Sequence, residues 1–282
     1  MSQLRVLYVV GTRPELIRSA ELITLLRDDT RFELSMVHTG QHFDWNMSGG
    51  FLREFALGRP NYELDCGGGS GSDQISCILT GVSNVITQLR PACVCVFGDT
   101  NSSLAAALAG STASVPVIHI EAGARSYDMS MPEELNRRLI DHLAFGLCCV
   151  SEDCVANLRK ESVLGRVFNT GDPLFDVLVK RRTTDHLLPP ELDRRRSPSY
   201  GIMTLHRQAL VDDPARLMRH LNTVSEFACN AGVEIIFPVH PRTARSLESQ
   251  MLTGLPGLTL CKPLLYDDFL ALLGGANIVV TD

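Results

Sequence analysis

Apolar residues in this sequence fall into short unbroken runs: LRVLYVV (4–10), FELSMVHT (32–39), ACVCVFG (92–98), VPVIHI (115–120) and FGLCCV (145–150). A strand of a parallel sheet covered by helices on both faces has no solvent side, so its residues need not alternate in polarity. Each run is read as such a strand. The intervening stretches 14–27, 73–90, 101–113 and 132–144 carry apolar residues at i, i+3 and i+4, the spacing of helices with one buried face. Strands alternating with helices predict a doubly wound α/β domain over 1–180.

Residues 181–198 are polar, charged and proline-containing, and read as an interdomain connection. A second series then occupies 199–282: YGIMTLH (200–206), a helix at 214–230, VEIIFPVH (233–240), a helix at 241–252, LTLCK (258–262), a helix at 266–273 and NIVVTD (277–282). The last run reads as a buried strand delivering its carboxyl end to a cleft between two domains. No crossover helix follows it, so the second domain is expected to be incomplete.

Composition narrows the function classes. With 26 Lys and Arg against 32 Asp and Glu in 282 residues, a net charge of −6 provides no sequence-wide basic field for nucleic acid or an anionic membrane. An anionic ligand must be held by a few local cations. No apolar run reaches the roughly 18–20 residues needed to cross a bilayer. The start, MSQLRVLYVVGTRPE, enters a strand without a cleavable signal pattern, so a cytoplasmic location is expected. The nine cysteines are odd in number and mostly inside apolar runs, which suits neither a disulfide framework nor a zinc site. They are expected to be reduced, buried, structural thiols.

In open parallel sheets, ligands bind beyond the carboxyl ends of the strands, where helix N-termini favour anions. The first strand ends in Gly11-Thr12-Arg13-Pro14-Glu15, with Pro14 suited to a first helical turn, Arg13 placed to reach a phosphate and Arg18 one turn on. This is not G-x-G-x-x-G, so a nicotinamide fingerprint is absent. Asp99 ends ACVCVFGD and Glu121 ends VPVIHIE, which would put two carboxylates on one rim of the sheet. Glu133 and Glu134 follow Pro132 and open the next helix. Clustered acids beside a phosphate-binding turn can hold the displaced pKa values that acid/base chemistry needs. The competing reading makes Asp99 an N-cap and Glu133 and Glu134 solvated first-turn acids. A Mg²⁺ site is disfavoured, because no D-x-D pair is present and a guanidinium can neutralise phosphate instead. His206-Arg207 and His240-Pro241-Arg242 lie at two strand ends of the second series and are read as ligand-facing, whereas His38 and His42, which flank Thr39-Gly40-Gln41, fit packing equally well.

GTRPE (11–15), TGQH (39–42), FGDTNS (97–102), HIEAGAR (119–125), MPEELNRR (131–138), TGDP (170–173), TLHR (204–207) and FPVHPR (237–242) together resemble the UDP-N-acetylglucosamine 2-epimerase family across nearly the whole chain. The resemblance implies a GT-B-like fold: two Rossmann-like, doubly wound α/β domains around a cleft, usually as a homodimer. It implies epimerisation at C2 of a UDP-linked N-acetylhexosamine in surface polysaccharide biosynthesis, by elimination and re-addition of UDP, without NAD or metal. On matching positions Asp99, Glu121 and Glu133 become catalytic carboxylates, and Arg13 and His206 meet the diphosphate. Arg18, Arg137, His240 and Phe269 become substrate-binding, and Gln41 and His42 match a region tied in some relatives to a second, regulatory nucleotide sugar.

The sequence departs from the family in having Arg18 for a usual lysine and Gln208-Ala209-Leu210 where many relatives have x-Glu-Asn. GTRPELIR, MPEELNRR and HTGQHFDWN resemble the branch acting on 2,3-diacetamido uronic acids. A Ser-Gly-Gly-x-Gln-Glu-Glu turn, usual beyond the strand matching NIVVTD, does not follow, from which impaired UDP binding and marginal stability are expected. The rival readings are a hydrolysing enzyme releasing a free N-acetylmannosamine-type sugar and UDP, a GT-B glycosyltransferase, and a degenerate UDP-sugar-binding protein.

Overall fold

A computed structural model describes residues 3–41, 52–182, 199–205, 207–239, 243–244, 247 and 255–282. The chain divides into two compact units, Met1–Lys180 and Arg181–Asp282.

In the first unit the chain runs β1 (Leu4–Val10), α1 (Arg13–Asp28), β2 (Phe32–His38), β3 (Tyr62–Glu63), α2 (Gly71–Leu89), β4 (Cys93–Phe97), α3 (Asn101–Thr112), β5 (Val117–Ala122), α4 (Pro132–Leu143), β6 (Gly146–Cys149), α5 (Glu152–Lys160), β7 (Arg166–Asn169) and α6 (Pro173–Arg182). The seven strands pair in the order β3-β2-β1-β4-β5-β6-β7, every pair parallel. Val6 to Val10 are buried without a break, because helices cover both faces of the sheet. The helix α2 supplies Ile78, Val82, Val85 and Ile86 to the core. In α3, Ala105, Ala106, Ala107, Ala109 and Gly110 are all buried, and the short side chains let this helix lie close to its neighbours. At Gly110 an added Cβ would come 2.8 Å from Val117 Cγ2.

The second unit repeats the principle on a smaller sheet. Its elements are β8 (Tyr200–Thr204), α7 (Gln208–Val211), α8 (Pro214–Ala231), β9 (Glu234–Pro238), β10 (Leu258–Cys261), α9 (Tyr266–Gly275) and β11 (Ile278–Thr281). Four parallel strands pair as β10-β9-β8-β11. Two core clusters flank them, one around Leu217, Leu221 and Phe237, the other around Tyr200, Ile202, Ile236 and Leu272.

Several expectations need correction. The short strands β3 and β7 and the helices α5, α6 and α7 are additional to the predicted elements. Arg181 and Arg182, assigned to the connection, close α6, while 183–198 lies outside the described residues, as does most of the predicted helix 241–252. Cys66 and Cys77 are not free thiols: they form a disulfide across a Cα–Cα distance of 5.8 Å. The glycine-rich stretch between them folds back so that α2 returns beside the end of β3, a proximity that spacing along the chain does not reveal. Cys229 is exposed rather than buried.

Candidate active site

In the larger sheet the winding reverses between β1 and β4, where the two following connections diverge, and in open α/β sheets ligands bind beyond the carboxyl ends of the strands at such a point. The turn after β1 is built by one buried acid. Glu15 accepts at Oε2 from the Gly11 and Thr12 amides, at 2.7 and 2.8 Å, and at Oε1 from the hydroxyls of Thr100 and Ser103, at 2.6 and 3.1 Å. It thereby ties the N-terminus of α1 to that of α3. Burial pushes its carboxyl up and the four hydrogen bonds oppose that shift. A Cβ on Gly11 would overlap Ser102 Oγ and Thr39 Oγ1, so only glycine fits that close approach. Gln41 is drawn into the same joint, its Oε1 accepting from the amide and hydroxyl of Ser102 at 2.9 and 2.7 Å.

Because β4 and β5 are adjacent, Phe97 pairing with Ile120, the acids after them share one rim. Arg18 Nη2 meets Glu121 Oε1 at 2.6 Å, and its guanidinium lies 5.1 Å from the Phe97 ring centroid. Arg137 from α4 pairs with the Asp99 carboxylate, while Asn136 donates to the Asp99 carbonyl at 2.9 Å. The N-cap of α3 is Thr100, which leaves the Asp99 side chain to Arg137. Glu121 sits at a bulge: Ile120 pairs with Cys148 and Ala122 with Cys149, so Glu121 is the extra residue, with φ +70°. A left-handed glutamate costs on the order of 1–2 kcal/mol, and such strain gathers at functional sites. Burial pushes its carboxyl up, Arg18 pulls it down, and Asp99 and Asp172 push it up.

The adjacent acids of α4 have different fates. Glu133 is exposed, whereas Glu134 is fully buried, accepting from the Ser126 amide at 2.8 Å and from Arg138 Nε at 2.9 Å. Although burial pushes the Glu134 carboxyl up, Ser126 and Arg138 together hold it below the ordinary range. Glu134 begins a chain of alternating charge. Arg138 also meets Glu161 at 3.3 Å, Glu161 meets Arg125 at 2.6 Å, Arg125 meets Asp141 at 2.7 Å, and Asp141 meets His119 at 2.7 Å. Arg137, 3.5 Å from Glu134, joins it to Asp99.

Arg13, in the first turn of α1, is half-buried. Phe269 on α9 packs against the core around Tyr200 and Ile202. His206, His240 and His42 lie outside the described residues. Glu15 had a signal in the sequence, since Thr12-Arg13-Pro14-Glu15 has the spacing of a capping box. The His119–Asp141 pair had none, its members being 22 positions apart. Among the described residues no group of three or more His, Cys, Asp or Glu is arranged to hold a metal ion, and no helix is long and apolar enough to cross a membrane.

Comparison with known proteins gives a consistent result. Residues 24–282 match the family described as UDP-N-acetylglucosamine 2-epimerase. The chain is 34% identical to the UDP-2,3-diacetamido-2,3-dideoxy-D-glucuronate 2-epimerase of Pseudomonas aeruginosa, covering 99% of this chain and 78% of that one. It is 33% identical, with the same coverages, to a UDP-N-acetylglucosamine 2-epimerase homolog of Methanococcus maripaludis. The crystal structure of the Methanocaldococcus jannaschii UDP-GlcNAc 2-epimerase, in complex with UDP-GlcNAc and UDP, superposes with a TM-score of 0.86 at 30% identity, over 99% of this chain and 79% of that one. The fold is of the GT-B type found in these enzymes.

Proposed function

Because the chain belongs to the UDP-N-acetylglucosamine 2-epimerase family, we propose that it interconverts UDP-N-acetylglucosamine, or a related UDP-acetamido sugar, with its C2 manno epimer by eliminating and re-adding UDP. In the elimination one carboxylate takes the C2 proton while the C1–oxygen bond breaks and its electron pair leaves with UDP. In the reverse addition UDP returns to C1 and an acid delivers a proton to the opposite face of C2. The two half-reactions need two positioned acid/base groups and cations for the departing diphosphate.

The observation that carries this reading is the meeting of Asp99 and Glu121 on one rim of the sheet, each ion-paired to an arginine. In this reading Glu121, with its carboxyl pushed up by burial, exchanges the C2 proton with Asp99 and Glu133 as partner acids. Arg13 receives the diphosphate, a role the family resemblance also gives His206, and Arg18 and Arg137 hold the acids and line the sugar site. The relative from Pseudomonas aeruginosa and the sequence features shared with its branch support a 2,3-diacetamido uronic acid as the alternative sugar.

The test is incubation in D₂O with UDP-N-acetylglucosamine and, separately, with UDP-2,3-diacetamido-2,3-dideoxy-glucuronate, followed by NMR. Deuterium at C2 of an intact nucleotide sugar is the expected result. Accumulation of free sugar and stoichiometric UDP would assign the hydrolysing reaction instead, and no exchange with either compound would reject epimerase activity.

A further inference from the structure

The two acids on the rim are attached to a buried pair that touches neither solvent nor any exposed surface. His119 of β5 and Asp141 of α4 have fully buried side chains, as does Arg125, which shares Asp141. Asp141 Oδ1 accepts from His119 Nδ1 at 2.7 Å, and its Oδ2 accepts from the Gly123 amide at 3.2 Å. Those donors lie two residues before and two residues after Glu121. A single carboxylate therefore grips both shoulders of the bulge that holds Glu121 at φ +70°.

The other face of the imidazole reaches the second acid. His119 Nε2 donates to the Gly98 carbonyl at 2.8 Å, the peptide immediately before Asp99, and the Gly98 amide donates to Ile120 at 2.9 Å. Both ring nitrogens are thus tied to oxygens, one to the carboxylate that grips the bulge and one to the turn that carries Asp99. Gly98 has φ +64°, and a Cβ there would come 3.5 Å from Glu121 Oε2, so the turn carrying Asp99 is packed against the Glu121 carboxylate itself.

We propose that His119 and Asp141 are positioning residues which fix the separation and orientation of the Glu121 and Asp99 carboxylates, acting through the β5 bulge and the Gly98 peptide. The inference rests on the reading of those two acids as the proton-transfer groups. A buried ion pair adds little net stability over apolar packing of similar volume. What distinguishes this one is its location astride two strand ends. Misplacing a reacting group by about 1 Å can cost on the order of 100-fold in rate.

The experiment uses the full chain with Asp141→Asn, which keeps the shape of the side chain and removes its charge, and His119→Gln, which can retain one of the two ring contacts. For each folded variant, kcat and KM are measured for C2 exchange, and the crystal structure is solved. D141N is expected to lose about 100-fold in kcat with KM changed less than about threefold, and Glu121 is expected to leave the left-handed region. H119Q is expected to lose less than His119→Ala, because one donor survives.

A folded D141N with unchanged kcat, or one in which Glu121 keeps its φ and His119 keeps its contact with Gly98, would overturn the proposal. So would a loss confined to KM. If D141N does not fold, H119Q and H119A carry the same comparison. If the wild-type chain shows no C2 exchange, the functional reading fails separately, and the position of Glu121 in the variant structures still decides whether the pair holds it.

Discussion

Glu15 shows how far a residue's neighbours can change its meaning. In the sequence it is one acid of a helical first turn; in the fold it is buried and accepts four hydrogen bonds, two from amides that cannot reverse their role and two from hydroxyls that can. A glutamine there would turn its NH₂ toward the hydroxyls and leave one carbonyl oxygen for both amides. Glu15→Gln is therefore expected to destabilise the protein by about 1–3 kcal/mol, measured by urea unfolding. Glu121 supplies a test of electrostatics. Arg18 is the cation that opposes the upward push of burial on its carboxyl. Removing that charge lets the carboxyl rise further, and a base must be ionised to work. Arg18→Met is therefore expected to move the low-pH limb of kcat/KM upward by about one pH unit. Arg18→Lys keeps a positive charge and is expected to move it less, although it loses the planar stacking on Phe97.

Among the elements, the turns after β1 and β4 do most of the positioning, and they were only partly readable in advance. Asp99 and Glu121 could be found because strand ends are where ligands bind in open sheets, and ACVCVFG and VPVIHI are unbroken enough to locate those ends. The bulge at Glu121 could not be found, because it is a mismatch between β5 and β6 that neither segment encodes alone. Glu133 and Glu134 were indistinguishable for a related reason: both belong to the first turn of α4, and only its docking decides which faces inward. The turn after β1 makes a sharp prediction. An alanine at Gly11 would drive its methyl into Ser102 and Thr39, parting α3 from the end of β2. Gly11→Ala is expected to cost about 1–3 kcal/mol in chemical denaturation, and to depress C2 exchange more than that instability explains at temperatures where the variant is folded.

The architecture of both units was legible because continuous apolar runs report strands of a covered parallel sheet, although β11, expected to be buried, leaves Val279 54% exposed. The strands that escaped notice are those with no such signal, a two-residue β3 and a largely exposed RVFN in β7 at the sheet's edge. The disulfide between Cys66 and Cys77 escaped because it depends on how a glycine-rich segment folds back. Acid stability is also set across the whole first unit. Asp141, Glu134 and Glu161 are held below the ordinary carboxylate range by the groups that surround them. Acids depressed in the folded state contribute stability that is complete above their unfolded pKa and is lost as pH falls through the folded values. The first unit is therefore expected to unfold cooperatively on acidification below about pH 4, followed by circular dichroism, and Glu161→Gln is expected to flatten that dependence. The alternating series from Asp99 through Arg137, Glu134, Arg138, Glu161, Arg125 and Asp141 to His119 ends at the carbonyl beside its own starting residue. Each member from Arg137 to Arg125 has two neighbours of opposite sign, so deleting one strands two. The costs of two single substitutions at neighbouring members will sum to far more than the cost of replacing both together, and divergence at these positions should proceed by compensated pairs, a coupling that double-mutant cycles on Arg125 and Glu161 would expose as strongly non-additive.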